Sequence, residues 1–128
     1  MHVFKYSKPE FIDERGEITM ILDNDKTPIK SVLLITCNKG AVRANHYHKE
    51  DSHYAYLLSG RMEYFEEPAH GQSKKRETAV LSAGDMVYTP ALAAHAMRFL
   101  EDSVFIALAT KSRKDGAYED DTIRVTLI

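Results

Sequence analysis

The sequence predicts an all-β sandwich or barrel, and three observations carry that prediction. Short apolar or alternating runs of strand length recur along the 128 residues, turn signals divide them, and no stretch keeps the periodicity of a long helix. In chain order the runs are "EITMIL", "IKSVLLITC", "HYAYLLS", "RMEYF", "ETAVLS", "DMVYT", "HAMRFL", "SVFIALAT" and "TIRVTLI". Turn residues stand between them at Asp23 to Asp25, Asn38 to Gly40, Ser59-Gly60, Gly84-Asp85 and Glu101-Asp102. The polar stretch "EEPAHGQSKKRE", residues 66 to 77, mixes both charge signs with proline and glycine and reads as an exposed hairpin loop, with His70 a solvated residue. No repeat, low-complexity tract or linker interrupts this order, so residues 1 to 128 are expected to form one domain.

Composition narrows the function classes. A net charge of -2 offers no electrostatic footprint for nucleic acid or an anionic membrane, and the longest apolar runs fall well short of a membrane span. The segment "MHVFKYSKPEF" has no apolar export signal, and the expected location is the cytoplasm. The single cysteine, Cys37, ends an apolar run and is read as a buried thiol. Small-molecule chemistry or protein contact is what remains.

The chemistry concentrates in "GAVRANHYHKEDSH", residues 40 to 53, which holds three of the six histidines. Alternate residues of a strand share a face, so His46 and His48 project together with Tyr47 between them. His53 opens the next run after the charged turn "KEDS", which is expected to fold it back beside the first pair. His95 begins another alternating run after "GDMVYTPALAAH", and a barrel can bring it to the same interior. Neutral imidazole is a ligand for zinc, iron, manganese, nickel or copper, and four nitrogens do not choose among them.

This spacing resembles the cupin superfamily. Its first motif is matched by Gly40, His46, His48 and Gly60, with His53 at the position of a glutamate. Its second is matched by Gly84, Pro90 and His95, with Leu92 in place of a glycine and Phe99 in place of an asparagine. The resemblance implies a small double-stranded β-helix, or jelly-roll barrel, and makes His46, His48, His53 and His95 the ligands of a divalent metal ion. Within the superfamily, Asp13 to Gly16, Arg43 to His46 and the ending "VFIALATKSRKDGAYEDDTIR" resemble enzymes acting on nucleotide-activated deoxysugars. These are the 3,4-ketoisomerases, the 3- or 3,5-epimerases, and the metal-containing cupin domain of a capsular-sugar reductase/epimerase. Ala44 departs from the Arg-Gly pair of those families, and His53 stands where the ketoisomerases have glutamine.

The resemblance implies an isomerase or epimerase of a nucleotide-linked keto-deoxysugar in cell-envelope polysaccharide biosynthesis, working through an enediolate. The metal stabilises the oxyanion, or His46 acts as general base if none binds. By the same resemblance Arg43, and more weakly Arg15, are the positions expected to hold the phosphates of the nucleotide sugar, although Arg15 also fits an exposed turn paired with Asp13. Among Tyr47, Tyr54, Tyr56, Tyr64 and Tyr88, Tyr88 beside the second motif is the catalyst to test first. The "GAYEDDTIR" segment is read as a solvated turn before a last strand, and a homodimer is expected through the terminal runs. Two other classes fit the same histidines: an iron(II)-dependent cupin dioxygenase and a non-catalytic small-molecule-binding module.

Overall fold

The computed structural model describes residues 1–72 and 75–128; Ser73 and Lys74 of the expected hairpin loop lie outside the described residues. Twelve strands follow one another: β1 (His2–Phe4), β2 (Phe11–Asp13), β3 (Gly16–Ile18), β4 (Ser31–Cys37), β5 (Val42–His48), β6 (His53–Ser59), β7 (Arg61–Pro68), β8 (Glu77–Ser82), β9 (Met86–Thr89), β10 (Ala93–Phe99), β11 (Ser103–Ala109) and β12 (Thr122–Arg124). A 3₁₀ turn, Lys114–Gly116, and one short helix, α1 (Ala117–Asp121), precede β12. One sheet has the order β1-β9-β6-β11-β4, the facing sheet β12-β5-β10-β7-β8, and β2 and β3 form a separate hairpin. All pairings are antiparallel. Chain-adjacent strands such as β5 and β6 fall in different sheets, which makes this the expected jelly-roll. No helix among the described residues is long and apolar enough to cross a membrane.

The core lies between the sheets. Leu57, Val87, Phe105 and Cys37 from one sheet meet Met62, Tyr64, Leu81, Met97 and Phe99 from the other, all buried. Phe99 and Phe105 stack across the gap with ring centroids 5.9 Å apart. Burying side chains of this size stabilises the fold by roughly 2 kcal/mol each. The run "HYAYLL" is apolar without alternation because its second face is covered too. Tyr54, Tyr56 and Met86 are buried on the outer side of their sheet beneath Ile21 and Leu22. Those two residues belong to the predicted strand "EITMIL", whose sheet pairing stops at Ile18.

Three segments differ from the sequence expectation. β7 continues through Pro68, and Glu66 pairs with His95 and is buried, so the exposed loop is shorter than residues 66 to 77. "TIRVTLI" makes a strand only over Thr122–Arg124. The segment read as a solvated turn is the end of the 3₁₀ turn, α1 and β12, and its Tyr118 and Arg124 line a cavity between the sheets.

A bulge sets the course of β5. Against β10 the register runs His46↔His95 and then Ala44↔Ala96, which leaves Asn45 as the extra residue. Ala44 and Asn45 both take left-handed backbone, with φ of 69° and 54°. Asn45 holds its conformation through the chain end, its Oδ1 accepting from Leu127 N at 3.0 Å and Ile128 N at 3.2 Å. Ala44 has no such compensation, and it stands where the resembling families have glycine. Leu92, in place of the second-motif glycine, is also left-handed, with φ 65°, and its amide donates to His48 O at 2.8 Å. A side chain at positive φ costs on the order of 1–2 kcal/mol, partly offset by the extra unfolded-state freedom of glycine. Ala44→Gly and Leu92→Gly are each expected to raise stability by about 0.5–1 kcal/mol in thermal or urea unfolding; a lower midpoint in both would contradict strain at these positions.

Candidate metal centre

Both sheets contribute to the histidine cluster. His46 and His48 lie on β5, His95 on β10 opposite His46, and His53 on β6 of the facing sheet. The "KEDS" turn therefore does not fold a hairpin: it carries the chain from one sheet to the other, and the imidazoles meet across the interior. Ring centroids lie 4.6 Å apart for His46–His48, 4.7 Å for His46–His95, 5.1 Å for His53–His95 and 5.6 Å for His48–His53. All four side chains are buried. They face a cavity of about 360 Å³ that also exposes Arg43, Asp51, Arg113, Tyr118 and Arg124, with Leu33, Ile35, Met97 and Phe105 as its apolar wall.

Neighbours define which nitrogens are free. His95 Nδ1 lies 2.9 Å from the carbonyl of Ala93, so it carries the proton and leaves Nε2 as a lone pair. Thr122 Oγ1 spends its proton on Tyr118 O at 2.6 Å, so it accepts from His48 Nδ1 at 3.3 Å, and His48 Nε2 is left bare. Asp121 Oδ2, 3.6 Å from His48 Nδ1, favours the same tautomer. Asp121 is itself fixed by the amides of Glu50 at 2.9 Å and Asp51 at 3.0 Å. Behind His95, the Tyr64 hydroxyl donates to Glu66 Oε1 at 2.7 Å and meets Thr89 Oγ1 at 2.7 Å, while its ring stacks on His95 at 6.4 Å. Burial first, and then the charge of Glu66, push that phenol above its usual range.

The cluster resists protonation. Burial, followed by His95, His48, Arg124 and Arg113, lowers His46 from 6.5 to about 3. Burial lowers His95 to about 4, against the opposing hydrogen bond to Ala93. His53 falls well below 6.5, from burial and then its three histidine neighbours. His48 is also lowered by burial, with Asp51 and Asp121 pulling the other way. At neutral pH all four are neutral imidazoles, the state that binds a metal.

Their donor atoms form two overlapping groups, each within 4.8 Å: His46, His48 and His95, and His48, Asp51 and His53. The four expected ligands are thus neighbours, but the tightest nitrogen-only set has three of them. Asp51 was not legible as a site residue in the sequence; its carboxylate is buried and accepts from Thr110 N at 3.1 Å and Thr110 Oγ1 at 3.0 Å. The one signal for it in the sequence is its place between His48 and His53.

The predicted arginines separate. Arg43 lines the cavity, with Nε donating to the buried Cys37 Sγ at 3.0 Å and Nη2 to Thr36 O at 3.0 Å. Arg15 sits in the exposed β2–β3 turn, held by Asp13 Oδ2 at 2.9 Å from Nε and 2.6 Å from Nη2, and it is not among the cavity residues. That pair holds the Asp13 carboxyl below its usual range. Tyr88 is likewise elsewhere: its strand neighbour Thr89 is the inward residue, and the Tyr88 ring packs on Tyr54 at 4.8 Å and His2 at 6.0 Å. Tyr118 of α1, not Tyr88, lines the cavity. Its ring centroid is 5.4 Å from His48 and 6.3 Å from His46. His70 is exposed, as read, beside Tyr47.

The family model described as a cupin domain matches residues 33–110, the span that carries all four clustered histidines. The chain belongs to the cupin family. Among curated proteins no relative matches it. Solved structures similar to this cupin include the 3,4-ketoisomerase QdtA from Thermoanaerobacterium thermosaccharolyticum, a double mutant in complex with TDP. The two share 26% identity over 96% of this chain and 86% of that one, with a TM-score of 0.74. The dTDP-4-dehydrorhamnose 3,5-epimerase from Sulfolobus tokodaii is 22% identical over 88% of this chain and 70% of that one, at 0.73. The capsular polysaccharide assembling protein CapF from Staphylococcus aureus is 17% identical over 91% of this chain but only 32% of that one, at 0.69. The last two share the fold.

The donor chemistry of this cupin fits a divalent ion. His48 and His95 each present a bare Nε2, and His46 Nδ1 is the one buried side-chain nitrogen or oxygen among the described residues with no hydrogen-bond partner. The depressed pKa values set a pH dependence. Below about pH 6.5 the unfolded chain takes up protons that the folded cluster refuses, so the stability contribution is whole above that pH and is lost down to about pH 3 to 4. Each refused proton tilts the unfolding free energy by about 1.4 kcal/mol per pH unit. The midpoint of the metal-free protein is expected to fall steeply from pH 6.5 to 4, less steeply in His53→Gln. Equal midpoints across that range would contradict a neutral buried cluster.

Proposed function

We propose that this chain is a metal-binding cupin that isomerises or epimerises a nucleotide-linked keto-deoxysugar in cell-envelope polysaccharide biosynthesis, through an enediolate. The observation that carries the reading is the meeting of four neutral imidazoles, a phenol and arginines around one cavity. The likeness to QdtA, solved with TDP, supports the nucleotide sugar. His46, His48 and His95 would hold the ion, with His53 completing the set from the facing sheet. A divalent ion bound there supplies Lewis-acid stabilisation of the oxyanion that develops when a carbon beside the ketone loses its proton.

The chain's own residues do the rest. His95 and His48 keep their protons on Nδ1, against Ala93 O and Thr122 Oγ1, so Nε2 faces inward without further adjustment. His46 in the ion-free protein is the available imidazole base, but a pKa of about 3 makes it a weak acceptor at neutral pH, which favours its role as ligand. Tyr118, the one tyrosine among the described residues that lines the cavity, would as its phenolate accept the proton that leaves the carbon beside the ketone, and as the phenol so formed return it to the other face or carbon of the sugar. Arg43 uses two of its five N–H donors on Cys37 and Thr36, which fixes the guanidinium and leaves three for a phosphate. Leu33, Ile35, Met97 and Phe105 keep water from the enediolate.

A homodimer belongs to the same proposal. β4 is an edge strand whose outward Val32 and Leu34 are 64% and 69% exposed, and Phe11, Ile12 and Ile18 of the β2–β3 hairpin are also uncovered. A second copy covering both is expected to double the 14.5 kDa mass in light scattering.

A second reading has a specific observation behind it. His48, Asp51 and His53 form a two-histidine, one-carboxylate group of the kind that holds iron(II) for oxygen chemistry, and oxygen uptake by the iron-loaded protein reads it out.

The test of the first reading is transfer of solvent deuterium into nucleotide 4-keto-6-deoxysugars, followed by mass spectrometry. Wild type is expected to exchange, with His46→Asn and Tyr118→Phe each slower by about 10²-fold. No exchange across a panel of such sugars by the metal-supplemented wild type would overturn the reading.

A further inference from the structure

A polar chain crosses the barrel behind the imidazoles and has no part in the chemistry described above. Tyr64 of β7 is fully buried, its hydroxyl donates to Glu66 Oε1 at 2.7 Å, and the same oxygen lies 2.7 Å from Thr89 Oγ1. The phenol has one proton and gives it to the carboxylate, so Thr89 is the donor of the second bond. Tyr64 belongs to the sheet of β5 and β10, and Thr89 to the facing sheet. The bond between them joins the two sheets.

Register places this bond at the level of the cluster. Glu66 is directly opposite His95 across β7 and β10, and Thr89 is directly opposite His53 across β9 and β6. Opposed residues of antiparallel strands share a face, with Cβ atoms about 5 Å apart. Thr89 thus projects beside His53, while the Tyr64 ring, inclined by only 25° to that of His95, backs the other imidazole. One side chain is thereby coupled to an imidazole of each sheet.

Burial works against such a network. Thr89 is 1% exposed and Glu66 8%, and apolar side chains of similar shape would avoid the desolvation of a hydroxyl, a phenol and a carboxylate. A hydrogen bond supplies what apolar contact does not, a fixed distance and direction. That distance matters at this level of the barrel. His46, His48 and His95 come from one sheet and have donor atoms within 4.8 Å, whereas His53 arrives from the other and is outside that group. Metal–imidazole bonds of about 2.0–2.1 Å tolerate departures of about 0.2 Å, so the gap between the sheets decides whether His53 joins the other three.

We propose that Tyr64 and Thr89 are positioning residues of the metal centre: their hydrogen bond sets the gap between the sheets, and with it the reach of His53 towards an ion held by His46, His48 and His95. This rests on the metal-binding reading and assigns the groups that hold the two halves of the centre in register.

The test separates the hydroxyl of Thr89 from its bulk. Thr89→Val removes the bond at nearly constant shape and leaves Tyr64 bonded to Glu66, and Thr89→Ser restores the hydroxyl. Zinc affinity is measured by competition with a chelating dye, with and without His53→Ala. Adding His53→Ala is expected to weaken zinc binding by about tenfold in wild type and in Thr89→Ser, but by less than about twofold in Thr89→Val, which is itself about tenfold weaker than wild type. In the zinc-free protein the His53 and His95 rings, with centroids 5.1 Å apart, are expected to show a ring-proton NOE that weakens in Thr89→Val and returns in Thr89→Ser. Leu81→Val, a core change in β8 outside the cavity, controls for lost stability and is expected to lower the thermal midpoint with neither effect. Thr89→Ala removes the same hydroxyl should Thr89→Val not fold. An NOE unchanged in the folded Thr89 variant, a His53→Ala loss of equal size in both backgrounds, or the same effects in Leu81→Val would overturn the positioning role. Wild type that binds no zinc would remove the metal centre, and the NOE comparison would still decide whether the bond spaces the imidazoles.

Discussion

Desolvation of four imidazoles between two sheets is the constraint on which the rest of the structure depends. His46, His48, His53 and His95 are all buried, and their mutual proximity makes a proton on any one costly to the others. A cluster that stays neutral needs lone pairs aimed inward and protons aimed outward. The surrounding chain supplies this: Ala93 O accepts the hydrogen bond of His95 Nδ1, and Thr122 Oγ1 accepts that of His48 Nδ1, backed by Asp121. Such support keeps an empty site from collapsing into mismatched hydrogen bonds, and a bound ion would find its ligands already oriented.

The β5 bulge and the C-terminal segment serve that arrangement jointly. Asn45, the extra residue of the bulge, bonds the last two residues of the chain, and β12 pairs alongside His46 to His48. Asp121 at the end of α1 also ties down the turn that carries the chain from β5 to β6. The segment after β11 is therefore structural support for the imidazoles and wall of the cavity at once. Left-handed backbone at Ala44 and Leu92 is strain retained where the related families use glycine, one residue beside the bulge and the other hydrogen-bonded to His48 O.

What could be read from the sequence follows from periodicity. Two-residue spacing put His46 and His48 on one face, and apolar runs broken by turn residues marked β4, β6, β7, β8, β10 and β11. The resemblance to cupins located Ala44 and Leu92 as departures before their backbone was known. Long-range closure was less legible. The arrival of His53 from the opposite sheet depends on which strands pair, and a short charged turn looks the same whether it makes a hairpin or a crossing. Tyr88 was misplaced by proximity to a motif, since a one-residue step along β9 turns a side chain to the other face. Tyr118, Arg113 and Arg124 lay in a polar stretch without periodicity, and only the tertiary fold shows them beside the histidines.

The central claim is that these imidazoles form a metal centre to which both sheets contribute. Elemental mass spectrometry on untagged protein, purified without nickel resin, tests it most directly when wild type is compared with His53→Ala and His95→Ala. The account predicts close to one divalent ion per chain in wild type, loss of most of it in His95→Ala, and weakened retention in His53→Ala. Wild type that holds no metal, even after incubation with zinc, manganese and iron, would contradict it.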